Sequence, residues 1–151
     1  MRIETRRMDN EKGTTVVASH DGYLKPFGIR HERELTLSPH GLALTGIDRL
    51  IPAHMPSGHE RKEAFNFAIR FHIHPDVRVS TAQNGDVLLK LPNGEGWRLR
   101  ATGSIGIEES VYLGGDTVRR SEQIVVAGTV KNETTEIGWM IEQIGGAAHP
   151  K

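Results

Sequence analysis

Eight histidines are many for 151 residues, and with no cysteine in the chain they are the main side chains able to do metal or acid–base chemistry. The densest run is Phe71-His72-Ile73-His74-Pro75-Asp76. In a strand, His72 and His74 project to the same side about 6 to 7 Å apart, a usable spacing for two ligands of one metal. Asn66, Ala68 and Arg70 share that face, whereas Phe65, Phe67, Ile69, Phe71 and Ile73 form an apolar opposite face that should be buried. Solvent and neighbouring hydrogen bonds satisfy histidines on a polar strand face as readily as a metal does.

A second pair comes from a hairpin. Ile29 to Leu37 alternates, with His31, Arg33, Leu35 and Leu37 on one face and Arg30, Glu32, Glu34 and Thr36 on the other. Ser38-Pro39-His40-Gly41 is turn chemistry, and Leu42 to Ile51 is the return strand. A register that sets Leu37 opposite Leu42 and Leu35 opposite Leu44 also sets His31 opposite Asp48. The two then form an ion pair, or supply two ligands of a zinc-like site completed by His72 or His74. A bulge at Gly41 would slip the register by one and separate them.

Ser19-His20-Asp21-Gly22-Tyr23 adds a histidine and a tyrosine able to act as acid and base in an elimination, although Asp-Gly is first of all a turn signal. His20 and Tyr23 are the catalytic candidates. A cupin-like metal site needs a Glu soon after a His-x-His pair, and here Pro75, Asp76, Val77 and Arg78 follow instead. There is no Gly-x-Ser-x-Gly elbow, phosphate loop or His-Glu-x-x-His.

The elements that must position these residues are short strands. Val77 to Gln83 turns at Asn84-Gly85 into Asp86 to Leu91, and Pro92 to Gly96 leads into Trp97 to Ala101. Ser110 to Leu113 ends at Gly114-Gly115, and a last hairpin is expected between Gln123 to Val130 and Thr135 to Gln143. Ile51 to Glu63 reads as the longest loop. Residues 1–16 show little period and 145–151 form a small-residue tail, so these ends read as edge strands or frayed segments. The pattern predicts an all-β fold, a two-layer antiparallel β-sandwich, as a single domain over 1–151 with no long helix.

Composition narrows the function. Hydrophobic residues at 36% permit a core, while 17 glycines and a mean hydropathy of -0.42 make it a loop-rich one. Nineteen basic residues balance nineteen acidic ones, so no positive field exists to hold a nucleic acid backbone. No apolar run approaches the roughly 20 residues of a membrane span, and Met1 to Arg7 lacks the apolar stretch of a signal peptide. Neither nucleic acid nor membrane is expected as a partner.

The succession His20-Asp21-Gly22-Tyr23, Gly28-Ile29-Arg30-His31-Glu32-Arg33, Leu42 through Leu50, then Ile69-Arg70-Phe71-His72-Ile73-His74-Pro75-Asp76-Val77 resembles the C-terminal region of heparinase II/III-like proteins, over about Ser19 to Trp139. That resemblance implies a polysaccharide lyase in which a β-sheet domain follows an α/α toroid, cleaving uronic-acid glycans by β-elimination without a nucleotide or redox cofactor, in the periplasm or cytoplasm of a bacterium. The toroid carries the family's main catalytic Tyr, His, Asn and Arg and would need a couple of hundred further residues. The family's metal pattern, His-x-His-x-Asp followed by Asp-x-Gly and a later His-Asn, is absent, since His72-x-His74-x-Asp76 copies only its first element in a later strand.

The resulting expectation is a C-terminal domain that packs against and supports such a toroid and is inactive alone. Arg33, Arg70 and His74 are the substrate or interface residues, on a polar row with Asn66, His72, His31 and Asp48. Acidic polysaccharide is the expected ligand, with no cofactor, or with a divalent metal such as zinc at His31, Asp48 and His72. The alternative is a stand-alone carbohydrate-binding or cupin-like metal-binding β module. Against a lectin, aromatic residues are only 5%, and Trp97 and Trp139 sit in apolar strand contexts that read as core.

Overall fold

The computed structural model describes residues 1–146. Among them the alternating segments become eleven strands and one four-residue helix: β1 (Ile3–Asn10), β2 (Gly13–His20), α1 (Leu24–Phe27), β3 (Ile29–Leu37), β4 (Ala43–Pro52), β5 (Phe65–Ile73), β6 (Arg78–Thr81), β7 (Val87–Lys90), β8 (Gly96–Ala101), β9 (Ser104–Gly114), β10 (Thr117–Val130) and β11 (Thr135–Gly145). They build two antiparallel sheets, of eight strands in the order β1-β2-β3-β4-β11-β8-β7-β6 and of three in the order β5-β10-β9. No helix among the described residues is long and apolar enough to cross a membrane.

The chain divides into two compact units. The first holds Met1–Phe67 and Gly128–Trp139, the second Ala68–Ala127 and the strand residues from Met140 on. In the first, Ile29 of β3 and Leu50 of β4 pack with Val130 of β10 and Phe67 of β5. In the second, Val87, Leu89 and Leu99 of β7 and β8 pack with Ile124 of β10, and Phe71, Ile105 and Ile107 close around them. Each unit therefore sets one sheet face against another, the layering expected of a sandwich, and each fully buried aliphatic side chain contributes about 1.5–3 kcal/mol.

Three expectations need correction. The β3–β4 register pairs Leu37 with Leu44, not Leu42, because the loop between the strands, residues 38–42, is five residues long. Ser38 closes it: its N–H donates to the Ala43 carbonyl at 2.9 Å, and its Oγ accepts the N–H groups of Leu42 and Ala43, each at 3.1 Å. Next, β10 and β11 do not form a hairpin; they lie in different sheets. The hairpin partner of β10 is β9, which runs well before the predicted Ser110 start. Phe65, expected in the core, is 39% exposed at the start of its strand. Of the two readings for residues 1–16, the edge strand is the one found: they form β1, at the edge of its sheet, and the first half of β2. The expected tail from Gly145 lies outside the described residues beyond Gly146.

Candidate functional site

Within the first unit, the slip of two residues keeps every side chain on its predicted face. Arg33, not His31, now stands directly opposite Asp48, and His31 stands opposite Leu50. His31 still reaches Asp48 on the diagonal, which long side chains can span. Its Nε2 lies 2.6 Å from Asp48 Oδ1, and Arg33 Nε donates to the same oxygen at 2.7 Å. The indole Nε1 of Trp139 donates to Oδ2 at 2.8 Å.

Asp48 is fully buried, the one charged side chain in the core among the described residues. Burial pushes its carboxyl up, but the donors His31, Arg33 and Trp139 together with the Arg33 charge outweigh that, leaving it below its ordinary value of 3.8. Trp139 can donate because β4 carries Gly46 where its ring lies; any side chain there would collide with the indole.

The network continues outward. His31 Nδ1 lies 3.2 Å from His20 Nε2, the residue opposite it on β2. The N–H of Gly22 donates to His20 Nδ1 at 3.2 Å. With both rings neutral, donors and acceptors then run one way only: Gly22 N–H to His20 Nδ1, His20 Nε2–H to His31 Nδ1, His31 Nε2–H to Asp48. Tyr23 packs edge-on against His20 with ring centroids 4.9 Å apart, and the residue is 45% exposed. So His20, Tyr23, His31, Arg33 and Asp48 form one connected cluster, and the Arg33 side chain makes no other hydrogen bond among the described residues.

The flanking loop after β4 is held by a residue that strand patterns do not flag. Arg61 donates to the carbonyls of Phe27, Gly28 and Lys131 at 2.7, 2.9 and 2.9 Å, tying the C-terminus of α1 to the end of β10. On the opposite face of β3 and β4, Arg49 bonds Glu32, Glu34 and Glu136, whose carboxylates raise its pKa.

In the second unit the remaining candidates are dispersed along β5 and its turn. His72 shares a 3.3 Å hydrogen bond with Ser110, and Arg70 pairs with Glu108 at 2.9 Å. His74 packs edge-on against Tyr112 and its Nδ1 accepts the N–H of Asp76 at 3.1 Å. Asp76 accepts from Arg119, which lowers its pKa.

The sequence pattern of the family described as Heparinase II/III-like, C-terminal, matches residues 1–140. The chain belongs to that family. A Caulobacter vibrioides protein named FtsZ-localized protein C is 33% identical over 150 residues, covering 96% of this chain and 26% of the relative. The fold is similar to part of the heparan sulfate lyase HepC from Pedobacter heparinus (TM-score 0.74, 13% identity, 98% of this chain and 23% of that one) and of a heparinase III (TM-score 0.68, 15% identity, 94% and 21%). At such identities these structures establish the fold alone. The chain spans about a quarter of the length of these relatives.

Of the expected metal trio, His31 and Asp48 belong to the first unit and His72 to the second. His31 and Asp48 meet, while His72 bonds Ser110, and among the described residues no three His, Asp or Glu side chains are arranged to hold a metal. The Asp48 oxygens already accept three N–H groups, and Arg33 supplies the positive charge a metal would bring. Zinc added to the purified chain is therefore expected to leave its melting temperature unchanged, and stoichiometric zinc that disappears in His31→Ala would refute this.

Proposed function

We propose that the chain is the β-sheet domain of a heparinase II/III-like polysaccharide lyase, packing against and supporting an α/α toroid that carries the catalytic machinery. The observation that carries this reading is the family match along nearly the whole chain, supported by the likeness to part of two glycan lyases. The Asp48-anchored cluster is what the domain brings to an acidic-glycan cleft. Arg33 has one guanidinium nitrogen fixed on Asp48 and its terminal nitrogens without a protein partner among the described residues, a geometry suited to a uronate carboxylate. Tyr23 and His20 stand beside it in the same cluster.

β-Elimination needs a positioned base, an acid for the leaving group and neutralisation of the carboxylate acting together. This cluster supplies the last and leaves the others to the partner domain. The purified chain is expected to release no unsaturated uronate from heparan sulfate, by ultraviolet absorbance, yet to bind uronate oligosaccharides weakly in NMR titration, with shifts around Arg33 that vanish in Arg33→Gln. Product release by the chain alone, or titration shifts confined elsewhere, would overturn the assignment.

A second reading rests on the 33% identical relative, whose name places it with FtsZ. On that reading the domain serves localisation with FtsZ. Co-sedimentation of the chain with FtsZ polymers separates the two.

A further inference from the structure

The β9–β10 hairpin carries its inner face past the end of the core it helps to build. Cross-strand partners on that face are Ile105 with Val126, Ile107 with Ile124, Glu109 with Glu122, Val111 with Arg120 and Leu113 with Val118. The first two rows lie in the core of the second unit. Successive rows advance by about 6.8 Å, so the last two project about 14 to 20 Å beyond Ile107 and Ile124. Their apolar members are not covered: Val111, Leu113 and Val118 are 62, 74 and 69% exposed. An inner face that stays apolar where nothing packs on it marks an interaction surface.

The row between core and tip is equally incomplete. Glu109 and Glu122 face each other directly, a destabilising arrangement for like charges. Neither forms an ion pair among the described residues, and nor does Arg120 in the next row, although Arg119 beside it is paired with Asp76. Beside these rows lies a groove of about 610 Å3, with Pro75, Val77 and Val111 as apolar lining and Glu109, Glu122 and Arg120 as its charges.

Knob and groove thus sit side by side on one face, and each is what the other lacks. Leu113 and Val118 fit an apolar wall like Pro75 and Val77, and Arg120 fits a pair of unpaired carboxylates. A face that is its own complement is what a two-fold contact requires. We propose that a second copy of this chain covers this face, in a two-fold dimer where each hairpin tip seats in the other's groove. Arg120 of each copy then neutralises Glu109 and Glu122 of its partner.

Sedimentation velocity of the full chain at micromolar concentration should show a dimer. Leu113→Ser with Val118→Ser should leave a monomer whose far-UV circular dichroism is unchanged. Arg120→Glu alone, and Glu109→Arg with Glu122→Arg alone, should each be monomeric, whereas mixing the two variants should restore a 1:1 heterodimer. That rescue separates contact from any loss of folding. A monomeric unsubstituted chain, a dimer that survives loss of Leu113 and Val118, or charge variants that fail to pair on mixing would each overturn the proposal; the first would assign the face to a different polypeptide.

Discussion

Replacing Asp48 with alanine is expected to lower stability by about 3–5 kcal/mol, the cost of breaking a buried charge pair from one side. The carboxylate is fully buried and accepts from three separate groups, so the substitution strands the Trp139 indole N–H in the core and removes the counter-charge of Arg33. For a chain of this size the melting temperature should fall by roughly 10 °C or more. Asp48→Asn keeps an acceptor and the shape, and should cost less. The two variants also differ from the native chain in pH dependence. Because the folded-state carboxyl titrates below its ordinary value of 3.8, the unfolded chain binds the proton more tightly. The stabilisation is thus complete above the unfolded-state value and is lost as pH falls through the lower folded-state one. Urea denaturation from neutral pH down to about pH 3 should show the gap between native and Asp48→Asn narrowing only at the acid end. A gap independent of pH would mean that the ionised carboxylate is not what the site stabilises.

That His31 and Asp48 belong together was legible from alternation alone, since face assignment survives any even slip of register. What alternation does not encode is the slip itself. Ser38 fixes it through three hydrogen bonds across a five-residue loop, and a sequence reading favours the tighter turn that its Pro and Gly also permit. The same limit explains the β10–β11 error. Two apolar runs joined by Lys131-Asn132-Glu133 look like a hairpin, but both are needed in different layers, and a run of apolar residues says that it is buried without saying in which sheet. The contribution of His20 was visible only as a nearby candidate, because its link to His31 depends on pairing β2, whose sequence has weak period, with β3. The apolar strand around Trp139 marks it as core, and it is 5% exposed. Its polar role needed the indole to be aimed at a residue 91 positions earlier. A buried Trp does carry one signal of this kind, an N–H that must find an acceptor.

The acceptor is reached only because β4 is bare at Gly46, and this gives the second large effect. Gly46→Ala places a methyl group inside the six-membered part of the Trp139 ring, so either backbone or indole must move. Overpacking of a closed core costs about 1–3 kcal/mol by itself. If the indole is what yields, its bond to the ionised Asp48 is lost as well, worth about 1.5–3 kcal/mol for a hydrogen bond to a charged group. The expected total is about 3 kcal/mol or more, large for one added methyl. The cause can be isolated by repeating the substitution in a Trp139→Phe background, which has a smaller ring and no N–H. There the methyl group has room and no bond to break, and Gly46→Ala should cost less than about 1 kcal/mol. Non-additivity of that size, read from urea denaturation of the two single variants and the double one, would show that glycine at 46 exists to admit Trp139 to Asp48. Additive costs would show that the strain falls on the β4 backbone and that the indole keeps its acceptor.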